Sequence, residues 1–190
     1  VRTIEMIDGV VKMIDQRILP RRYEIVECRD YQSVAHAIKD MTVRGAPAIG
    51  AAAAFGLALA ALESSATTPQ ELLCDLDVAE KILRVTRPTA VNLMWALDRM
   101  INFARAQNLD ANGLRDAVVA EAQRIADEDI ATNQRMAENG AALIHDGDTV
   151  HVSAGKDGLT QTQLTAHDSR DDVIRARDGK FIGLASDFDP

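Results

Sequence analysis

The hydrophobic positions of this chain change period near residue 30. Up to Cys28, apolar and polar residues alternate: IEMID and VVKMID are two short runs separated by Gly9, and YEIVEC is a third. Alternation of period two marks half-buried strands, so these runs predict a small antiparallel sheet. From Tyr31 to Met41 the period lengthens, and Val34, Ala37, Ile38 and Met41 fall on one face of a short amphipathic helix. Residues Thr42 to Ala46 form a basic, glycine-containing loop, after which Pro47, whose fixed φ suits a first helical position, opens an almost wholly apolar helix to Leu62. Pro69 opens another helix through Leu83, with Thr68 placed to cap it and Thr86-Arg87-Pro88 to break it. From Thr89 onward, AVNLMWALDRMINFARA sets Leu93, Ala96, Leu97 and Met100 on one face and predicts a helix ending before Asn108. Asp110 or Asn112 begins the next, with Val118, Ala122, Ile125 and Ile130 inward and Gly140 closing it. After Gly147 the segment DTVHVSAG begins as a strand, and the stretch from Lys156 to Asp178 is polar and weakly periodic.

Strands followed by helices predict an α+β fold, with a small N-terminal antiparallel sheet packed with a mainly helical bundle. Hydrophobic residues are 47% of the chain but aromatics only 4%, so alanine and leucine carry the packing, helix against helix. The change of character near Gly147 divides the chain into residues 1–148, the sheet and bundle, and residues 149–190, a remnant or diverged segment of a second domain. A net charge of -8 opposes the clustering of Lys and Arg that nucleic-acid phosphates require, so no nucleic-acid partner is expected. The run from Pro47 to Leu62 falls short of the roughly 18 apolar residues of a membrane span and reads as a core helix. Cys28 and Cys74 have neither CxxC spacing nor a disulfide framework, and the charged N-terminus VRTIEMIDG is unlike a signal peptide; both predict a reduced, cytoplasmic protein. The two thiols are expected buried, on a strand and a helix, and Trp95 is expected in the core. His36, His145, His151 and His167 lack metal-ligand spacing, so no metal is expected.

Candidate chemistry lies at two helix entries. In Arg44-Gly45-Ala46-Pro47-Ala48-Ile49-Gly50, a glycine beside an arginine lets backbone approach a ligand, and the helix start offers free amides and a positive dipole end to an anion. Arg87-Pro88-Thr89-Ala90-Val91-Asn92-Leu93 repeats the pattern of an arginine just before a helix. Two guanidinium forks could grip one phosphate ester. The plainer alternatives are a tight loop feeding a core helix, with Arg44 solvated or paired to a carboxylate, and a Thr89-capped helix with Arg87 on the surface.

The segments MTVRGAPAIGAAAAFGLALA and RPTAVNLMWALDRM resemble signature segments of methylthioribose-1-phosphate isomerases, a phosphosugar isomerase family related to the regulatory subunits of translation initiation factor 2B. IDQRILP and EDIATNQRMAENGAALIHDGDTV resemble further family segments in the same order, so the resemblance runs from residue 1 to about 150. It implies that Arg44, Gly45, Ala46 and Arg87 bind a phosphosugar. It further implies aldose-ketose isomerisation of methylthioribose 1-phosphate in methionine salvage, without metal or organic cofactor, by a homo-oligomer. Residues 149–190 would then be an incomplete or altered start of a Rossmann-like domain. The family's catalytic pair is a cysteine in a His-Cys-Asn-Ala-Gly segment and an aspartate of the second domain. Here His151-Val152-Ser153-Ala154-Gly155 sets valine at the thiol position, and Asp168, Asp171 and Asp172 read as solvated surface. The catalytic residues are therefore unassigned, and the chain alone is expected to be inactive. The alternative is a non-catalytic phosphosugar-sensing or interaction module related to initiation factor 2B regulatory subunits.

Overall fold

The computed structural model describes residues 2–143, 151–153, 173–176 and 181–184. Strands β1 (Ile4–Ile7), β2 (Val10–Ile14) and β3 (Ile25–Cys28) form an antiparallel sheet in that order, with Ile4 opposite Met13 and Val11 opposite Cys28. The turn between β1 and β2 is Asp8-Gly9, with φ of 50° and 73°, the two positive values a tight hairpin needs. Alternation holds as read: Val11, Met13 and Cys28 are buried while their neighbours are more exposed.

Helix α1 (Tyr31–Lys39) is capped by Asp30, whose side chain accepts from the Ser33 amide, and buries Val34, Ala35, Ala37 and Ile38. Met41 does not join that face. The helix ends at Lys39, and Met41 turns outward in the left-handed region at φ 63°. Helix α2 (Ala46–Glu63) buries every residue from Ile49 to Ala61. At 18 residues it is long and apolar enough to cross a membrane by length and composition, but within this fold α1, α3 and α4 pack around it, which is how a helix apolar on all sides is satisfied in a core. Helix α3 (Pro69–Arg84) starts with the anticipated Thr68 cap, completed into a capping box by Glu71. Helices α4 (Val91–Ala106) and α5 (Ala111–Ala141) follow. Leu93, Ala96, Leu97 and Met100 are buried on α4, as are Val118, Ala122 and Ile125 on α5. Arg115 of α5 donates to the carbonyls of Ala61, Ser64 and Ala66, satisfying the end of α2 and the loop after it.

Four local expectations are corrected. Trp95 is 50% exposed, because it lies off the Leu93–Leu97 face and lies against the Arg99 guanidinium, 5.4 Å from the ring centre. Cys74 is exposed on α3, and only Cys28 is buried. Thr89 does not cap α4; the cap position is Ala90, with no side-chain hydrogen bond. Gly140 does not close α5, which runs on to Ala141.

The chain divides into two compact units, Val1–Ile130 and Ala131–Pro190. The first holds β1–β3, α1–α4 and most of α5 around one core. In the second, β4 (His151–Ser153), β5 (Val173–Ala176) and β6 (Phe181–Leu184) form an antiparallel sheet in that order. A Rossmann-like domain is built on parallel strands, so these strands do not pair in its manner. Asp168, Asp171 and Asp172 lie outside the described residues.

Candidate functional site

Gly45 is the cap residue of α2 at φ 90° and ψ 130°, a conformation that suits glycine and strains any residue with a Cβ. A cap without a side chain leaves the first amides of α2 unclaimed, and no acidic residue stands in its first turn. Helix α4 has the same character: Ala90 provides no side-chain cap, and the first turn holds no acid. The Arg87-Pro88-Thr89-Ala90 turn before it closes with the Ala90 amide donating to the Arg87 carbonyl at 3.0 Å.

These two helix starts lie side by side. A Cβ built on Gly50, one turn into α2, would sit 3.2 Å from the Asn92 carbonyl oxygen in the first turn of α4. Glycine at that position therefore sets how closely the two ends approach. Arg44 and Arg87, each just before one of the starts, are half-buried, and among the described residues neither has an ion-pair partner. Other arginines of the same unit do. Arg84 pairs with Glu80 and Asp98, Arg99 with Glu121 and Glu128, and Arg105 with Asp77.

Sequence reasoning missed the residues that hold the Arg44 loop. Directly after β2, the Gln16 amide donates to the Thr42 carbonyl at 2.9 Å, and the Gln16 side-chain Nε2 donates to the Arg44 carbonyl at 3.3 Å. Arg17 folds back on Asp15, with Nε and Nη2 donating to its carboxylate at 2.9 and 2.7 Å, and reaches Asp40 with Nη1. Asp40 in turn accepts from the Thr42 amide and hydroxyl at 3.0 and 2.8 Å. Hydrogen bonding from Arg17 holds the Asp15 carboxyl below the usual aspartate range against the opposing effect of burial. For Asp40, burial pushes upward, but the two Thr42 hydrogen bonds and the charges of Arg17 and His36 together outweigh it and hold that carboxyl low as well. The hints in the sequence were the polar pair Gln16-Arg17 breaking the apolar pattern after a strand and their place in the family-like segment IDQRILP.

A groove of about 520 Å³ runs beside this network, lined by residues that include Arg17, Cys28, His36, Asp40 and Thr42. Burial pushes the Cys28 thiol up to about 11, so it is protonated and inert at neutral pH. A second groove of about 370 Å³ lies between α3 and α4 among the Arg84 and Arg105 ion pairs. Neither groove includes Arg44 or Arg87. Among the described residues, no three His, Cys, Asp or Glu side chains are grouped to hold a metal ion.

Residues 42–173, which include both arginine loops, match the model of the initiation factor 2 subunit family. The chain belongs to that family. Within it, the chain is 48% identical over 151 residues to the methylthioribose-1-phosphate isomerase of Pelotomaculum thermopropionicum, a match covering 78% of this chain and 42% of that protein. The crystal structure of 5-methylthioribose 1-phosphate isomerase from Pyrococcus horikoshii superposes with a TM-score of 0.74 at 46% identity, covering 77% of this chain and 41% of that one. Translation initiation factor eIF-2B, subunit delta, from A. fulgidus superposes at 0.72 with 42% identity, covering 78% of this chain and 43% of that one. The chain thus spans less than half the length of these relatives, and what it shares with them is the α+β N-terminal half.

Proposed function

We propose that this chain is the phosphosugar-binding part of a methylthioribose-1-phosphate isomerase, the enzyme class that interconverts an aldose phosphate and a ketose phosphate in methionine salvage. The observation that carries this reading is the pair of adjoining helix starts without side-chain caps, each preceded by an arginine that has no carboxylate partner among the described residues. Each helix start presents roughly half a positive charge. Arg44 and Arg87 add planar donor forks that match phosphate oxygens, and Gly45 and Ala46 let backbone amides come close. Such a cradle fixes one end of the sugar and presents its C1 and C2 to an acid-base group. It cannot supply that group, because guanidinium stays protonated at neutral pH and accepts no proton. Matched by resemblance to the family's His-Cys-Asn-Ala-Gly segment, the cysteine position falls on Val152, which exchanges no proton either.

On this reading the 190-residue chain binds methylthioribose 1-phosphate without converting it, and needs neither metal nor organic cofactor to do so. Its partners are the small phosphosugar and further copies of itself, not nucleic acid or a membrane, and its place is the cytoplasm. Residues 149–190 are an altered start of a Rossmann-like domain, and the antiparallel β4-β5-β6 pairing supports alteration over an intact start. Calorimetry with methylthioribose 1-phosphate should show Arg44→Ala and Arg87→Ala each weakening binding by about 1.5–3 kcal/mol, the range for charged hydrogen bonds. Unchanged affinity in both would remove the site. NMR of the sugar C1 and C2 signals should show bound, unconverted substrate over hours.

Val152 also favours a second reading, a non-catalytic module that senses a phosphosugar in the manner of an initiation factor 2B regulatory subunit. Ketose formed by this chain, at a rate abolished by Arg44→Ala, would sink that reading.

A further inference from the structure

The peptide between Arg44 and Gly45 has two ways to lie. Its plane is rigid, with the Arg44 carbonyl and the Gly45 amide pointing in opposite directions. A glycine on its far side tolerates either orientation, since it populates positive and negative φ about equally. Gly45 takes the positive one, at φ 90°. The contact that selects it comes from 28 residues earlier in the chain: Gln16 Nε2 donates to the Arg44 carbonyl at 3.3 Å, while the Gln16 amide holds the Thr42 carbonyl at 2.9 Å. The loop is thus pinned on both sides of Val43, itself fully buried with its amide donating to the Ala37 carbonyl. Arg17 fastens the same loop from its other end through Asp40, which holds Thr42.

We infer that Gln16 is a positioning residue for the phosphate-binding loop. By drawing the Arg44 carbonyl toward itself it turns the Gly45 amide the other way and fixes where the Arg44 side chain departs from the backbone. It touches no ligand and acts through the Arg44-Gly45 peptide. This inference rests on the reading of Arg44 and Gly45 as phosphosugar contacts and adds the residue that aims them.

The test is a double-mutant cycle on the full chain, with methylthioribose 1-phosphate titrated by calorimetry and the Gly45 amide followed by NMR. Gln16→Leu should weaken binding roughly five- to tenfold, the worth of one hydrogen bond, with little change in melting temperature. Its cost should be less than additive with Arg44→Ala and additive with Arg87→Ala, because only the first shares its route. The Gly45 amide signal, shifted by ligand in the parent chain, should lose that shift in Gln16→Leu. If the leucine variant does not fold, Gln16→Glu keeps the size and sets an acceptor against the Arg44 carbonyl, and the same outcomes apply. Parent-like binding by a folded Gln16 variant, or a loss equally additive in both backgrounds, overturns the positioning role while leaving the arginine site standing. Parent-like binding by both arginine variants overturns the site itself, and this inference with it.

Discussion

Asp15 is only 6% exposed and stays charged because Arg17 folds back onto it, in a loop that neither residue's local sequence would suggest is special. Its carboxyl titrates below the ordinary aspartate value of 3.8 in the folded chain. A lowered folded pKa gives stability that is fully present above the unfolded value and lost as pH falls through the folded one. The Asp15–Arg17 contribution should therefore be intact at neutral pH and fade below about pH 4. Asp15→Asn should melt lower than the parent at about pH 7, and the two melting curves should converge toward about pH 2. A gap of constant size across that range would show that the pair acts by shape and not by charge. Arg44 and Arg87 were legible in the sequence because an arginine before a helix start is a local pattern, and the family segments carry them. Asp15, Gln16 and Arg17 fall in the family segment IDQRILP, but what Gln16 and Arg17 hold was not legible, because their partners Arg44 and Asp40 lie 28 and 23 residues away.

Most helices could be read from the sequence because apolar spacing and punctuation agreed. Pro69 with Thr68 marks α3, and the Leu93–Met100 face marks α4. Side chains at the margins of those faces could not be read, which is why Trp95 and Cys74 came out exposed: an amphipathic stripe says where its centre points, not where it ends. Gly50 shows the same limit from the other direction. Inside an alanine-rich run nothing sets it apart, and its role appears only when α4 is in place. Alanine normally favours a helix over glycine by about 1 kcal/mol, so Gly50→Ala would be stabilising if the helix stood alone. Here the new Cβ meets the backbone oxygen of Asn92, which cannot swing aside as a side chain can. We expect Gly50→Ala to destabilise the fold by about 1–3 kcal/mol in urea unfolding and to weaken phosphosugar binding as the helix starts part. A more stable variant would show that the approach is not tight. At Gly56 the corresponding neighbours are Leu83 methyls at 3.0 Å, ends of a side chain that can give, and the cost there should be smaller.

Taken whole, the chain is acidic, at -8, yet keeps at the junction of α2 and α4 two arginines, Arg44 and Arg87, that have no ion-pair partner among the described residues. It also leaves Val85, Val91 and Trp95 substantially exposed at and just after the turn that carries Arg87. Large apolar side chains left exposed commonly meet a partner, and self-association would cover them. Light scattering at tens of micromolar should give a mass above that of one chain, and Trp95→Ser should lower it. A monodisperse monomer would contradict the homo-oligomer reading.

The close approach that Gly50 permits would have a cost when the proposed site is empty. Two positive helix ends pressed together repel each other, with Arg44 and Arg87 adding to the same sign and no first-turn acid to offset them. On the proposed reading, an anion settling between them would remove that repulsion, and so would act as a missing structural part as much as a ligand. The melting temperature should climb with inorganic phosphate along a saturating curve, by the equivalent of about 2.7 kcal/mol at a hundredfold excess over its dissociation constant. The climb should flatten in Arg44→Ala/Arg87→Ala and in high sodium chloride, where charges are screened within a few ångströms. If sodium chloride at equal ionic strength raised the melting temperature as much as phosphate does, the two helix ends would hold no tension for an anion to release.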